Sequence, residues 1–218
     1  MLKEAYISVA QAVLGAPMKR YYASPTRPLT GRWQRWFASL GAVYHLDRMI
    51  ALDVPWWNVA ATERVIAFLA ERPKARIFEY GSGASTVWLA RRGLEVTSVE
   101  HDEQWANALA PRLSSYQNVT LLRAQLRTGR IASEQPYVKT IRGTGLYDMI
   151  VVDGRERAAC LSAAVASLKS DGIILFDDSG RERYREAILN CSLSEKRYFG
   201  LSYCVPYPDY TSILAPNA

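Results

Sequence analysis

The sequence predicts an α/β chain: a doubly wound, mostly parallel sheet, an antiparallel pair at its C-terminal edge, and a helical extension in front. Three observations carry this. From residue 76 to 189, short β-branched runs alternate with stretches whose apolar residues recur at helical spacing. "YDMIVVDG" is a near-continuous apolar run, as in a parallel strand covered on both faces. The tail "KRYFGLSYCVPYPDYTSILA" is aromatic, β-branched and punctuated by turn residues, as in antiparallel strands.

Residues 1–54 read as a basic, aromatic extension. Pro17, Pro25 and Pro28 interrupt it, with one helix expected before Pro17. "RWFASLGAVYHLDRMIALD" (35–53) is expected as a single helix ending near Pro55, which makes His45 a packed helix residue. "NVAATERVIAFLAER" is a second helix, capped by Asn58 and stopped at Pro73. Residues 55–218 then form the main domain. Its expected strands are 76–80, 95–100, 119–124, 147–152 and 172–177, separated by helices over 85–92, 103–113, 157–168 and 181–189. A polar stretch, 125–146, separates the third and fourth strands.

The chain of 218 residues is 49% hydrophobic and 22% charged, which excludes wholesale disorder. Its net charge of +6 is concentrated in residues 1–36, where Lys3, Lys19, Arg20, Arg27, Arg32 and Arg35 face only Glu4. The rest is close to neutral, so no nucleic-acid partner is expected. Cys160, Cys191 and Cys204 are odd in number and widely spaced, which suits a reducing compartment. No run is long and apolar enough to span a bilayer, and a cytoplasmic protein is expected. Basic residues mixed with Tyr21, Tyr22, Trp33, Trp36 and Phe37 could place the extension on an anionic membrane surface. A helical cap over the site or a homodimer contact are the other readings.

The motif that carries chemistry is "RIFEYGSGASTVWLARRG" (76–93): a strand ends, two glycines follow, and a helix opens. Gly81 and Gly83 allow backbone to approach a ligand, and the helix start aims free N–H groups at the crevice beyond the strands. The next strand ends on Glu100, at the position of an acid that holds ribose hydroxyls. Glu79 beside the turn would repel a pyrophosphate and attract a cationic ligand. That favours S-adenosylmethionine over NAD, as does Thr86 where a dinucleotide fingerprint has its last glycine.

"FEYGSGAST", "VTSVEHDEQW", "YDMIVVDGRER", "GIILFDDSGRERY" and "YTSIL" together resemble the class I S-adenosylmethionine-dependent methyltransferases, over about residues 55–214. The resemblance implies a Rossmann-like, seven-stranded sheet with a reversed final hairpin. It also implies cofactor contacts from Glu79, Gly81, Gly83 and Ser85 at the methionine end, and from Glu100 at the ribose. His101 and Gln125 would lie near the adenine and Asp153 beside the cofactor. Ser85 stands where the family has its third glycine.

Asp153 closes the fourth strand, and Asp177 and Asp178 close the fifth, on the same rim as the glycine turn. Three converging carboxylates suit Mg²⁺ or Mn²⁺, and the pattern is similar to that of the metal-dependent O-methyltransferases. Arginines two to five residues after each aspartate offer neutralisation without a metal; Arg155, Arg181 or Arg183 could pair with Asp178, which could otherwise cap the next helix. A hydroxyl acceptor needs a base, for which Asp153 and Asp178 are the candidates. The expected activity is O-methylation of a small-molecule or sugar acceptor. The alternatives are a non-catalytic Rossmann-like binding or scaffold protein and an NAD-dependent oxidoreductase. Arg127, Arg130, Lys139 and Arg142 make 125–146 a basic lid or a solvated loop. Trp56, Trp57, Tyr203, Tyr207 and Tyr210 are candidates for a stacking wall or for core.

Overall fold

The computed structural model describes residues 31–217 together with Val9; the helix expected before Pro17 and most of the basic arm fall outside the described residues. Seven strands form one sheet: β1 (Arg76–Tyr80), β2 (Glu95–Glu100), β3 (Val119–Arg123), β4 (Tyr147–Val152), β5 (Leu168–Asp177), β6 (Ser194–Leu201) and β7 (Pro208–Ala215). Their order is 3-2-1-4-5-7-6. The first five run parallel, and β7 lies antiparallel to both β5 and β6. The direction of winding reverses between β1 and β4, which opens a crevice at their carboxyl ends.

Around the sheet lie α1 (Arg32–Leu40), α2 (Leu46–Leu52), α3 (Val59–Ala70), α4 (Ala84–Ala90), α5 (Glu103–Leu113), α6 (Pro136–Lys139), α7 (Arg157–Val165) and α8 (Glu182–Leu189). The alternation of side chains along each strand sorts the core into two faces. Phe78, Tyr80, Ile150, Val152, Ile174 and Phe176 face one side, with Cys160 and Leu161 of α7. Ile77, Met149, Val151 and Leu175 face the other, against Val65 and Phe68 of α3 and Trp88 of α4. Every residue of β4 is buried, as its apolar run requires. Asn58 caps α3 as expected, its Oδ1 accepting from Ala60 N (2.9 Å) and Ala61 N (3.2 Å).

Two expectations change. The single helix over 35–53 is broken into α1 and α2, because Tyr44 turns into left-handed backbone (φ 55°). His45 is therefore the residue that precedes α2 and not a helix residue. Both helices still bury an apolar face: Ala38 of α1 and Met49 and Leu52 of α2, with Val43 of the turn between them, pack with Val87 and Leu109 of the main domain. The stretch 125–146 is also less open than its polarity suggests. Tyr137, Val138 and Ile141 are buried in the core, and Tyr80 donates its hydroxyl to Val138 O at 2.8 Å. The segments Arg127–Ile131 and Arg142–Leu146 stand out into solvent, and Gln135 braces the first by bonding Arg127 N and O (2.8 and 2.9 Å).

Candidate active site

The glycine turn sits where the sheet order reverses. Gly81 has φ +93°, and a Cβ there would come within 2.6 Å of Gly154 Cα in the loop after β4. The two loops touch through bare backbone, so neither position has room for a side chain. Gly83 differs: its backbone is extended, and the nearest atom to an added Cβ is Ser85 Oγ at 3.8 Å. Space lies open there, a cradle that a side chain would fill.

Glu79 is fully buried beneath this turn. Register pairs it with Ser98 on β2, whose hydroxyl donates to Oε2 at 2.6 Å. Thr86 donates to Oε2 and Ser85 to Oε1, both at 2.5 Å. Thr86 Oγ1 also accepts from Gly83 N at 2.9 Å, so the acid fixes the turn and the first residues of α4 together. Burial raises the Glu79 pKa to about 7 against the opposing pull of the three hydroxyls. Ser85 is thereby tied to the Glu79 carboxylate.

Glu100 closes β2 with most of its side chain buried. Its Oε1 accepts from His101 N (2.8 Å) and Asp102 N (2.9 Å), and Oε2 accepts from Ser82 N (3.0 Å). A carboxylate has about four lone-pair sites, which leaves capacity for a ribose hydroxyl. Glu100, His101, Ala124 and Gln125 line a cavity of about 180 Å³, so the residues expected at ribose and adenine are brought together. His101 Nδ1 lies 2.7 Å from Glu100 Oε1, and Tyr137, buried in the core, packs against the imidazole. Their rings meet edge to face at 5.8 Å, and the Tyr137 hydroxyl lies against Gly154. Tyr137 carried no signal in the sequence.

The acidic rim forms as expected, but a guanidinium fills it. Arg157 Nη2 reaches Asp153 Oδ1 at 2.8 Å, and Nη1 reaches Asp178 Oδ2 at 2.9 Å and Asp177 Oδ2 at 3.9 Å. Arg181 adds a second contact to Asp178 at 2.8 Å, so Asp178 pairs with arginines and does not cap α8. Register sets Thr211 of β7 beside Asp177, and its hydroxyl donates to Oδ1 at 2.6 Å. Burial and the neighbouring Asp153 push the Asp177 carboxyl well above the usual range. Asp153 itself is raised to about 6 by burial, which Arg157 opposes. Trp57 Nε1 donates to its other oxygen at 3.1 Å. The expected Mg²⁺ or Mn²⁺ on Asp153, Asp177 and Asp178 does not fit this donor set, because a cation already stands among the carboxylates. Among the described residues no group of three or more His, Cys, Asp or Glu is arranged to hold a metal ion.

Residues 78–179, from the strand bearing Glu79 to the loop bearing Asp178, match the profile of a methyltransferase domain family. This stretch of the chain is a methyltransferase domain. Solved structures of methyltransferases share its fold. Precorrin-6y C5,15-methyltransferase from Geobacter metallireducens superposes with a TM-score of 0.54 at 14% identity, over 73% of this chain and 89% of that one. The N-methyltransferase NodS from Bradyrhizobium japonicum gives 0.52 at 13% identity, over 72% and 96%. The Streptococcus mutans protein SMU.1697c, solved in complex with SAH, gives 0.50 at 14% identity, over 70% and 96%. No curated protein matches the chain in sequence.

The expected aromatic wall does not form as one surface: two of its five residues are core, Trp56 and Tyr210 are part-buried, and Tyr207 is exposed. Trp57 is fully buried against Trp88 (rings 5.7 Å apart, 76°), and Tyr203 is buried too. A second aromatic surface lies at the end of β6, where Trp33, Trp36 and Phe199 with Arg32, Asn58 and Leu201 line a cleft of about 170 Å³. Nothing in the sequence placed Phe199 beside α1. Among the described residues no helix is long and apolar enough to cross a membrane.

Proposed function

We propose that this methyltransferase methylates an oxygen of a small-molecule or glycosidic acceptor, with Asp153 as the general base. The observation that carries it is the placement of Asp153. It closes β4 directly beside the glycine turn, its N–H bonded to Tyr80 O at 3.0 Å. Its side chain is buried but for 17%, and its carboxyl is raised to about 6, so it is ionised at neutral pH yet basic enough to take a hydroxyl proton.

When bound, S-adenosylmethionine would supply an electrophilic methyl to the acceptor oxygen and leave as the neutral thioether, while Asp153 would take the hydroxyl proton. The chain's own part is placement and proton handling. Gly83 leaves the cradle open, and Glu100, His101, Gln125 and Tyr137 are the residues we assign to the nucleoside. Trp57 and Arg157 fix the two oxygens of Asp153. The cleft walled by Trp33 and Phe199 suits a sugar or other flat-faced ring. The solvent-exposed Arg127 and Arg130 would favour an acceptor that carries negative charge.

Calorimetric titration with S-adenosylhomocysteine tests the cofactor site, and a screen beginning with nucleotide sugars tests the acceptor. Micromolar binding that is lost in Gly83→Arg supports the first. Absence of binding by the wild-type protein would sink the reading. Methylation at nitrogen or carbon in the screen would overturn the choice of oxygen alone.

A further inference from the structure

Arg157 opens α7 and is only 9% exposed, which is rare for an arginine unless it is paired. Its nitrogens are all committed to the protein. Nε donates to Gly154 O at 3.0 Å, Nη1 to Asp177 O at 2.5 Å, and Nη2 to both Asp153 O and Asp153 Oδ1 at 2.8 Å. Nη1 is also ion-paired with Asp178 at 2.9 Å and, more loosely, with Asp177 at 3.9 Å. One planar fork therefore ties the loop after β4 to the loop after β5, across main chain and side chain alike. A lysine, with a single compact charge, could not span them.

The backbone on either side is bent to allow it. Glu156, directly before the arginine, has φ 51°, and Asp178 has φ 56°. Left-handed backbone at a non-glycine residue costs on the order of 1 kcal/mol and persists where surrounding contacts impose it. Both strained residues flank the same guanidinium.

We propose that Arg157 is the resident cation of this rim: it stands where a divalent ion would have to stand, joins Asp153 and Asp178 into one rigid unit, and makes the site independent of metal. Arg157 is a positioning residue, since it has no free donor to offer an acceptor. A consequence, which rests on the proposed methyl transfer, is that the acceptor is not gripped by chelation of two neighbouring oxygens. Protein donors and the cleft must orient it instead, so acceptors with a lone hydroxyl are as admissible as vicinal diols.

The test is Mn²⁺ titration of the whole protein, followed by the electron paramagnetic resonance signal of free Mn²⁺. Wild type and Arg157→Lys are expected to show no site at the rim. Arg157→Met removes the charge but keeps an apolar stem. It should gain a Mn²⁺ site roughly tenfold or more tighter than any in wild type, and Asp178→Asn in that background should abolish it. A merely structural arginine would not give a gain of metal binding on removal. Wild-type Mn²⁺ binding that Asp178→Asn abolishes would overturn the proposal. So would a folded Arg157→Met protein with no new site, or Mn²⁺ binding by Arg157→Lys. If Arg157→Met does not fold, wild type and Arg157→Lys still decide the matter. Titration with S-adenosylhomocysteine is run beside these measurements. Its failure in wild type would strike the methyltransferase reading and leave the Mn²⁺ result intact.

Discussion

Trp57 Nε1 and Asp153 Oδ2 are joined at 3.1 Å across 96 residues of sequence, so a residue just ahead of α3 fixes the carboxylate that follows β4. Trp57→Phe keeps the ring and removes the donor. The lost hydrogen bond had favoured the ionised form, so the Asp153 pKa should rise further above 6. Stability should fall by about 1–3 kcal/mol, because a buried acceptor loses a partner. Carbon-13 NMR of labelled aspartate carboxyls would follow the titration directly. An unchanged or lowered pKa would show that the indole does not tune this acid.

The two glycines of the turn should fail in different ways. Gly81→Ala combines φ +93° with a Cβ 2.6 Å from Gly154 Cα, and should cost about 2–4 kcal/mol in a denaturant melt. Gly83→Arg has open space for its side chain, and should melt within about 0.5 kcal/mol of wild type while losing S-adenosylhomocysteine binding. The reverse pattern would mean that the ligand space has been assigned to the wrong glycine.

Glu79 predicts a pH dependence. Its folded pKa of about 7 lies above the ordinary 4.5, so the fold prefers the protonated acid. Its contribution is complete below pH 4.5 and is lost as pH rises through 7, by up to about 3 kcal/mol. Glu79→Gln cannot ionise. The stability of that variant relative to wild type should therefore climb between pH 4.5 and 7 and level off above it. A difference that is flat with pH would refute the buried, titrating acid.

Away from the crevice, Arg185 holds Glu195 through two bonds of 2.8 and 2.7 Å, beneath the contact of α8 with β6. Burial alone would raise the Glu195 pKa, and Arg185 with Ser212 outweighs it, leaving the acid below its usual range. Arg185→Ala strands a part-buried carboxylate and should destabilise by about 3 kcal/mol. Arg185→Ala with Glu195→Ala should recover part of that loss in a thermal melt. Additive losses would show that the pair is not coupled.

What the sequence disclosed divides along a physical line. Local patterns were legible: the bounds of β1, β2 and α5, the Asn58 cap and the glycine turn all follow from residues adjacent in the chain. Contacts fixed by strand register were not. Ser98 reaches Glu79, and Thr211 reaches Asp177, only because parallel and antiparallel pairing set them side by side. The break at Tyr44 escaped because apolar spacing continues through it unchanged. The convergence of three aspartates was legible, whereas the fork of Arg157 was visible only as one arginine among several in "VVDGRER".

The position of β7 between β5 and β6 gives the molecule a schedule. A nascent chain emerging from the ribosome has β5 and β6 in hand before the strand that joins them, so both present bare edges until Pro208–Ala215 has been made. In that interval Asp177 has no Thr211 and Glu195 has no Ser212. Final assembly of the acidic rim thus waits on the last strand of the chain to join the sheet.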